Sequence, residues 1–151
     1  MISLAHRRGV RYGQAVPDHG DTNAVVGTNV KRLRAERRWS LRELSERLPE
    51  GPGWMAYSGV RAVESNKKAV TVDALSALAT AFEVSPLTLL MPHVPADEGL
   101  QVSLTGTPTV EVRGLYAWLR GEAPIHMEEH EDEFLVESFR RRALPPWAWS
   151  R

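Results

Sequence analysis

The residues best suited to catalysis or metal binding lie in the stretch HMEEHEDE, residues 126–133. His126 and His130 are four positions apart, so on a helix they would share one face and could hold a metal ion with a nearby glutamate. A zinc-protease helix needs a glutamate directly after its first histidine, and Met127 occupies that position. The motif therefore fails, and we interpret the stretch as the solvated, acidic start of a helix.

Other catalytic constellations are also missing from the sequence. There is no cysteine, which excludes disulfides, thiolate zinc sites and cysteine nucleophiles. No Gly-x-Ser-x-Gly elbow and no phosphate-binding Gly-rich loop occurs. We therefore expect no enzyme activity, no metal and no cofactor.

The basic residues are the second set of candidate functional residues, because they are unevenly distributed along the chain. The 151 residues contain 19 bases and 19 acids. Residues 26–70 carry ten bases against five acids, whereas residues 71–99 carry four acids and no base. A basic segment beside an acidic one is typical of a phosphate-binding surface, although a charged helix face is often only solvated.

Helical periodicity places this basic segment on three short helices. The first is expected from Asn23 to Arg38, with Val26 among its apolar positions. The sequence SLRE at residues 40–43 is a capping box that opens the second helix. Ser58 is a plausible N-cap for a third helix over residues 58–66, with valines facing inward.

Two further helices complete this unit, which we expect to be a domain over residues 21–92. Thr71 is expected to cap the fourth helix, with Val72 and Phe82 on its apolar face, and Ser85 and Pro86 are expected to open the fifth.

The flanking regions have weaker patterns. Residues 1–20 are rich in glycine and arginine and predict a flexible arm, while residues 93–109 predict a linker with an extended segment. Residues 110–151 predict a helical extension and possible dimerisation region, with helices over 110–120 and 127–143. No apolar window approaches the length of a signal peptide or membrane span, so we expect a cytoplasmic protein.

Several independent motifs between Val26 and Pro92 agree with one family. They are RLRAERRWSLRELSERL for helices one and two, VRAVES for helix three and ALSALATAFEVSPLTLL for helices four and five. This stretch resembles the phage repressor and Cro type of helix-turn-helix domain, also called the xenobiotic-response-element family, in its actinobacterial or actinophage form. The resemblance implies a mainly α fold: a five-helix lambda-repressor-like helix-turn-helix domain with a C-terminal extension containing further helices.

The resemblance also implies roles for individual residues. Helix three would enter the DNA major groove, with Tyr57, Ser58 and Arg61 meeting base edges. Arg61 is the strongest candidate, since a guanidinium can bind guanine O6 and N7 together. Simpler roles stay open: an Arg61 pair with Glu50 or solvent, Ser58 as only the cap of helix three, and Tyr57 stacked on the loop.

Contacts to DNA phosphates and one structural ion pair follow from the same resemblance. Phosphate contacts are expected from Ser40, Arg42, Lys67 and Lys68, with Arg38 as a further candidate. In the family, the glutamate of helix three pairs with an arginine of helix one. The matching residues here are Glu64 and Arg34, so we predict a partly buried salt bridge between them.

The chain departs from the family pattern in two places. Leu41 stands where a DNA-contacting glutamine is common, so we expect it to pack inward. The connection between helices two and three is longer than the four-residue form, and we expect Trp54 and Met55 to pack under helix three.

These observations favour a sequence-specific double-stranded DNA-binding transcriptional regulator, more a repressor than an activator. We expect a homodimer on a two-fold operator, and a phage-immunity repressor is one form of this hypothesis. The alternative is an antitoxin or adaptor that uses the same domain and binds a partner protein through residues 122–151. A metal-binding enzyme is the weakest hypothesis.

Overall fold

The chain is mainly helical in the part that the computed structural model describes, residues 21–94, 99–125 and 133–149. The elements of these ranges are α1 (Asp21–Glu36), α2 (Leu41–Arg47), α3 (Tyr57–Glu64), α4 (Val72–Phe82), α5 (Pro86–Leu90), β1 (Gln101–Val102), β2 (Val110–Glu111), α6 (Val112–Leu119), α7 (Glu133–Ala143) and a 3-10 turn (Pro146–Ala148). The predicted N-terminal arm, residues 1–20, and the two histidines at positions 126 and 130 lie outside the described residues.

Three helices begin at the capping residues that the sequence predicts. The Ser40 hydroxyl oxygen accepts from the backbone N–H of Glu43, and the Glu43 carboxylate accepts from the N–H of Ser40, so the capping box is present. Thr71 and Ser85 cap α4 and α5 through their side-chain oxygens. These hydrogen bonds satisfy backbone N–H groups that a helix start leaves without an internal partner.

The first helix ends earlier than predicted because Arg38 adopts a left-handed conformation, with φ of 58°. The N–H of Arg38 donates to Ala35 O and that of Trp39 donates to Arg34 O, at 2.9 and 3.1 Å. This is the Schellman pattern, which closes a helix and redirects the chain. Helical periodicity predicts the helix through Arg38, since the apolar spacing gives no sign of this turn.

One apolar core unites the first five helices. Its buried members are Val26, Val30, Leu33, Leu44, Leu48, Met55, Val60, Val63, Ala74, Ala77, Leu78, Ala79, Phe82 and Leu89. Leu41 packs against this cluster, as predicted. Val72 does not: its side chain is 80% exposed, because it is the first residue of α4 and lies at the surface edge of that helix.

The crossing of α1 and α3 is closer than a side chain would allow. Gly27 is buried at this crossing, and a Cβ atom built on it would overlap the carbonyl oxygen of Val63. Val63 and Val60 are fully buried from the other side of the contact. The glycine therefore lets two helix backbones meet directly.

The described C-terminal part adds a hairpin and a helix. Strands β1 and β2 are antiparallel, with Gln101 opposite Glu111, and α6 follows β2 directly. The predicted extended segment and helix both form, but the helix begins at Val112 and not at residue 110, because Val110 and Glu111 pair with β1. The hairpin reaches the start of α1, where the N–H of Thr22 donates to Thr105 Oγ1 at 3.2 Å and the N–H of Thr105 donates to Thr22 Oγ1 at 2.9 Å.

Helix α7 differs from the others because none of its residues is buried. It ends at Ala143, as predicted, and its described part begins at Glu133. Leu144 beyond it packs on Gly121, the residue that ends α6. No helix in the described ranges has the length and apolar character needed to cross a bilayer.

Replacing Gly27 by alanine should destabilise the fold, although alanine is the better helix former. The added methyl group must displace the Val63 carbonyl, and overpacking of this kind costs about 1–3 kcal/mol. Gly114→Ala in α6 is the matched control, since open space surrounds that position and the substitution should stabilise by about 0.4–1 kcal/mol. Urea denaturation of both variants measures the difference. Equal stabilisation by both alanines would contradict the close crossing.

Candidate nucleic-acid interface

The predicted Arg34–Glu64 ion pair joins α1 to α3. Arg34 Nε donates to Glu64 Oε1 at 2.6 Å and Arg34 Nη2 donates to Glu64 Oε2 at 2.8 Å, a two-pronged geometry. The side chains are 18% and 8% exposed, respectively. The third guanidinium nitrogen, Nη1, donates to Trp39 O at 2.7 Å. Both carboxylate oxygens of Glu64 therefore accept hydrogen bonds from Arg34, so they are not available to the edge of a DNA base.

The same contact raises the pKa of Arg34, mainly because the guanidinium donates hydrogen bonds to the Glu64 carboxylate. Partial burial acts in the opposite direction, and attraction between the two charges adds to the increase. Arg34 is thus held in its charged form, and the pair fixes the last turn of α3 against α1.

The outer face of α3 presents the three predicted reading residues together. Tyr57, Ser58 and Arg61 are all exposed, Tyr57 at 53%, and their spacing places them on one side of the helix. Val60 and Val63 occupy the opposite side. Among the described residues, no carboxylate lies within 4 Å of the Arg61 guanidinium, so the alternative pairing with Glu50 does not occur there.

Ser58 does not cap α3, so this part of the prediction is wrong. The N-cap is Ala56, whose carbonyl accepts from the N–H groups of Gly59 and Val60 at 2.8 and 3.1 Å. The helix starts at Tyr57, and Ser58 lies in its first turn with an exposed hydroxyl. The side chain of Ser58 is left free of the cap and can face a ligand.

The Tyr57 side chain contacts α2. The Arg42 guanidinium carbon lies 6.0 Å from the centroid of the Tyr57 ring, which is a cation–π distance. Arg42 is exposed on the first turn of α2. The structure thus brings a predicted base contact and a predicted phosphate contact side by side.

Ser40 contributes less to a ligand than the sequence suggests. Its hydroxyl oxygen and its backbone N–H are both used in the capping box. Hydrogen bonding to the Glu43 carboxylate, by the Ser40 backbone first and by its side chain second, lowers the pKa of Glu43. Ser40 therefore serves the start of α2 and has little capacity left for a phosphate oxygen.

Lys67 and Lys68 follow α3 in a turn with defined geometry. Asn66 adopts a left-handed φ of 55°, and the N–H of Lys67 donates to Ala62 O at 2.8 Å. This Schellman pattern explains why α3 ends at Glu64 and not at residue 66. Both lysines are exposed, and the Lys68 ammonium lies beside Gly59: a Cβ atom on that glycine would be 3.4 Å from Nζ.

The nine-residue connection between α2 and α3 is fixed at several points. Ser45 Oγ donates to Met55 O at 2.7 Å, and both residues are buried. A Cβ atom on Gly53 would lie 2.5 Å from Asp73 O of α4, so this glycine permits a close approach. Met55 packs in the core as predicted. Trp54 is 51% exposed, so the expectation that it packs under α3 is wrong: Met55 fills the available space.

The bases of residues 26–70 divide into two groups, which charge counting could not separate. Four have partners within the fold. Arg34 and Arg32 pair with glutamates. Arg37 Nη2 donates to Phe82 O at 2.7 Å, and the Arg47 guanidinium carbon lies 4.2 Å from the centroid of the Trp39 ring. The other six are exposed and have no carboxylate within 4 Å in the described ranges: Lys31, Arg38, Arg42, Arg61, Lys67 and Lys68.

Sequence reasoning missed three residues that position this surface. Gly27 had a usable signal, since a glycine between apolar positions in a helix often marks a close crossing. Ser45 and Asn23 had none, because their partners are backbone groups 10 to 47 residues away.

A metal centre does not form among the described residues, where no group of three histidine or carboxylate side chains converges. Comparisons with protein-family models, with curated proteins and with solved structures each returned no match. The interpretation of this surface therefore depends on its own geometry.

Breaking the Arg34–Glu64 pair should destabilise the fold more than breaking a solvent-exposed ion pair does. Arg34→Ala leaves Glu64 without its partner at the α1–α3 contact, which we expect to cost about 2–4 kcal/mol. Glu36→Ala is the control, because it removes a pair with Arg32 within α1 in which the Glu36 side chain is exposed and should cost at most about 0.5 kcal/mol. Chemical denaturation measures both values. A cost for Arg34→Ala as small as that of the control would show that the pair does not hold α3.

Proposed function

We propose that the chain is a sequence-specific double-stranded DNA-binding transcriptional regulator, more a repressor than an activator. The observation that carries the proposal is the two-sided character of α3, with Tyr57, Ser58 and Arg61 exposed on one side and two fully buried valines on the other. In this proposal α2 and α3 form the helix-turn-helix of a lambda-repressor-like domain, and α3 lies in the major groove. No catalytic step and no cofactor is involved.

The charges around α3 support the proposal. Arg42 lies beside Tyr57 at the start of α3, and the Lys68 ammonium lies beside Gly59 in the first half of the helix. Lys67 follows the helix in sequence, so cations border α3 at more than one point. Cations beside a reading helix are what two neighbouring phosphate groups require. An exposed arginine within the helix can bind guanine in two-pronged fashion, which would supply sequence preference.

In this proposal the chain acts as a homodimer on a two-fold operator, in the cytoplasm of a bacterium or a phage-infected cell. Support comes from α7 and the turn after it, where Leu135 is 47% and Trp147 is 83% exposed. The sequence is acidic from residue 128 to 137 and basic from 140 to 142. Two copies of this segment paired antiparallel would place opposite charges together and cover the apolar side chains.

The same exposed side chains favour one alternative, an antitoxin or adaptor that binds DNA through α3 and a partner protein through residues 122–151. Both proposals need α3 on DNA and differ in what covers α7. The oligomeric state of the purified chain separates them.

The reading role of α3 is tested by selecting binding sites from random duplexes and measuring affinity for the recovered site. Arg61→Ala should weaken binding to that site by about 10- to 100-fold, because a two-pronged contact with guanine is lost. Lys67→Ala should instead weaken binding to all duplexes and reduce the slope of log affinity against log salt by about 1. Arg113→Ala, an exposed arginine on α6, should change neither quantity. Absence of any duplex binding by the wild-type chain would reject the proposal.

The dimer is tested without DNA by sedimentation velocity over a range of protein concentrations. The wild-type chain should form dimers, and Leu135→Asp should shift it to monomers because a charge is placed in the apolar contact. Val72→Asp is the control, since Val72 is a still more exposed apolar residue, on α4 and away from α7, and its replacement should leave the dimer intact. A wild-type monomer that copurifies with another protein would favour the antitoxin or adaptor.

A further inference from the structure

The turn that carries Lys67 and Lys68 is held by one side chain from α1. Asn23 Nδ2 donates to Asn66 Oδ1 at 2.5 Å and to Lys68 O at 3.1 Å, and the Val70 N–H donates to Asn23 Oδ1 at 2.7 Å. The amide of Asn23 thus uses both of its donor hydrogens and its acceptor. All three bonds go to residues 66–70.

These bonds replace the regular hydrogen bonding that the turn lacks. The helical pattern of α3 ends when the Lys67 N–H donates to Ala62 O, and the next capped helix begins only after Thr71. Between these points the backbone of residues 68–70 is bonded to Asn23. A surface turn without such bonds samples many conformations.

The position of the Lys68 ammonium relates the turn of residues 66–70 to α3. This ammonium lies beside Gly59 in the first half of α3. A DNA phosphate next to α3 would contact the ammonium there, and the Lys68 side chain would not have to change conformation first. Fixing the backbone that carries the lysines in advance lowers the entropy cost of binding.

We propose that Asn23 is a positioning residue for phosphate binding: it fixes residues 66–70 so that Lys67 and Lys68 face the backbone of DNA that α3 reads. The inference rests on the proposed function and deepens it. Asn23 does not contact DNA itself but acts through the two lysines.

Asn23→Ala tests the inference through two readouts. In the free protein, the amide hydrogen of Val70 should exchange faster with solvent, because its acceptor is gone. On the selected duplex, affinity should fall about tenfold, and the salt slope should decrease by about 1 to 2, the value of one or two lost phosphate contacts. A purely structural role would lower stability without changing the salt slope.

Asn29→Ala is the matched control. Asn29 lies on the same helix, and its Nδ2 also donates to two backbone carbonyls, Leu89 O at 3.0 Å and Met91 O at 2.8 Å, at the end of α5. The substitution should destabilise the fold, because it removes buried hydrogen bonds. The salt slope should stay at the wild-type value.

A double-mutant cycle completes the test. In a chain that already carries Lys67→Ala and Lys68→Ala, adding Asn23→Ala should change affinity by less than about 2-fold, because the groups it positions are gone. An undiminished tenfold loss in that background, or an unchanged salt slope in Asn23→Ala alone, would overturn the inference while leaving the proposed function standing. Failure of the wild-type chain to bind any duplex would overturn both.

Discussion

The close crossing of α1 and α3 is the constraint on which the rest of the described structure depends. Both contacts hold the C-terminal end of α3: the Gly27 backbone touches the Val63 carbonyl, and Arg34, further along α1, forms two hydrogen bonds with Glu64. The first contact fixes the distance between the helices. The second is directional, so it fixes the rotation of α3 about its own axis. Together they determine which side of α3 faces outward, and that side carries Tyr57, Ser58 and Arg61.

The two connections beside α3 are held by the same principle, a polar side chain bonded to loop backbone. Before the helix, Ser45 of α2 binds the carbonyl of Met55, and after it Asn23 of α1 binds residues 66–70. Each loop therefore has a donor or acceptor from a rigid helix. An exposed surface supported in this way is ordered before a ligand arrives, so less conformational entropy is lost on binding.

Local chemistry made the helical part of the fold predictable, whereas contacts between distant residues did not. The capping box at Ser40 and the caps at Thr71 and Ser85 are signals within four residues, and all three formed. The ends of α1 and α3 were misplaced because Arg38 and Asn66 adopt left-handed conformations without glycine. Charge counting identified a basic segment but could not show that Arg37 and Arg47 bind aromatic and backbone groups of the core. The Arg34–Glu64 pair was predicted only through the family resemblance.

The start of α1 supports two regions of the chain at once. Thr22 exchanges hydrogen bonds with Thr105 of the C-terminal hairpin, and the adjacent Asn23 binds the turn that carries Lys67 and Lys68. The first backbone N–H groups of a helix have no partner within it, so Thr105 satisfies one of them from outside. Any fraying of this first turn would move Thr22 and Asn23 together, because they are consecutive residues of one helix. The hairpin therefore stabilises the turn of residues 66–70 through the start of α1, where Thr22 and Asn23 are adjacent.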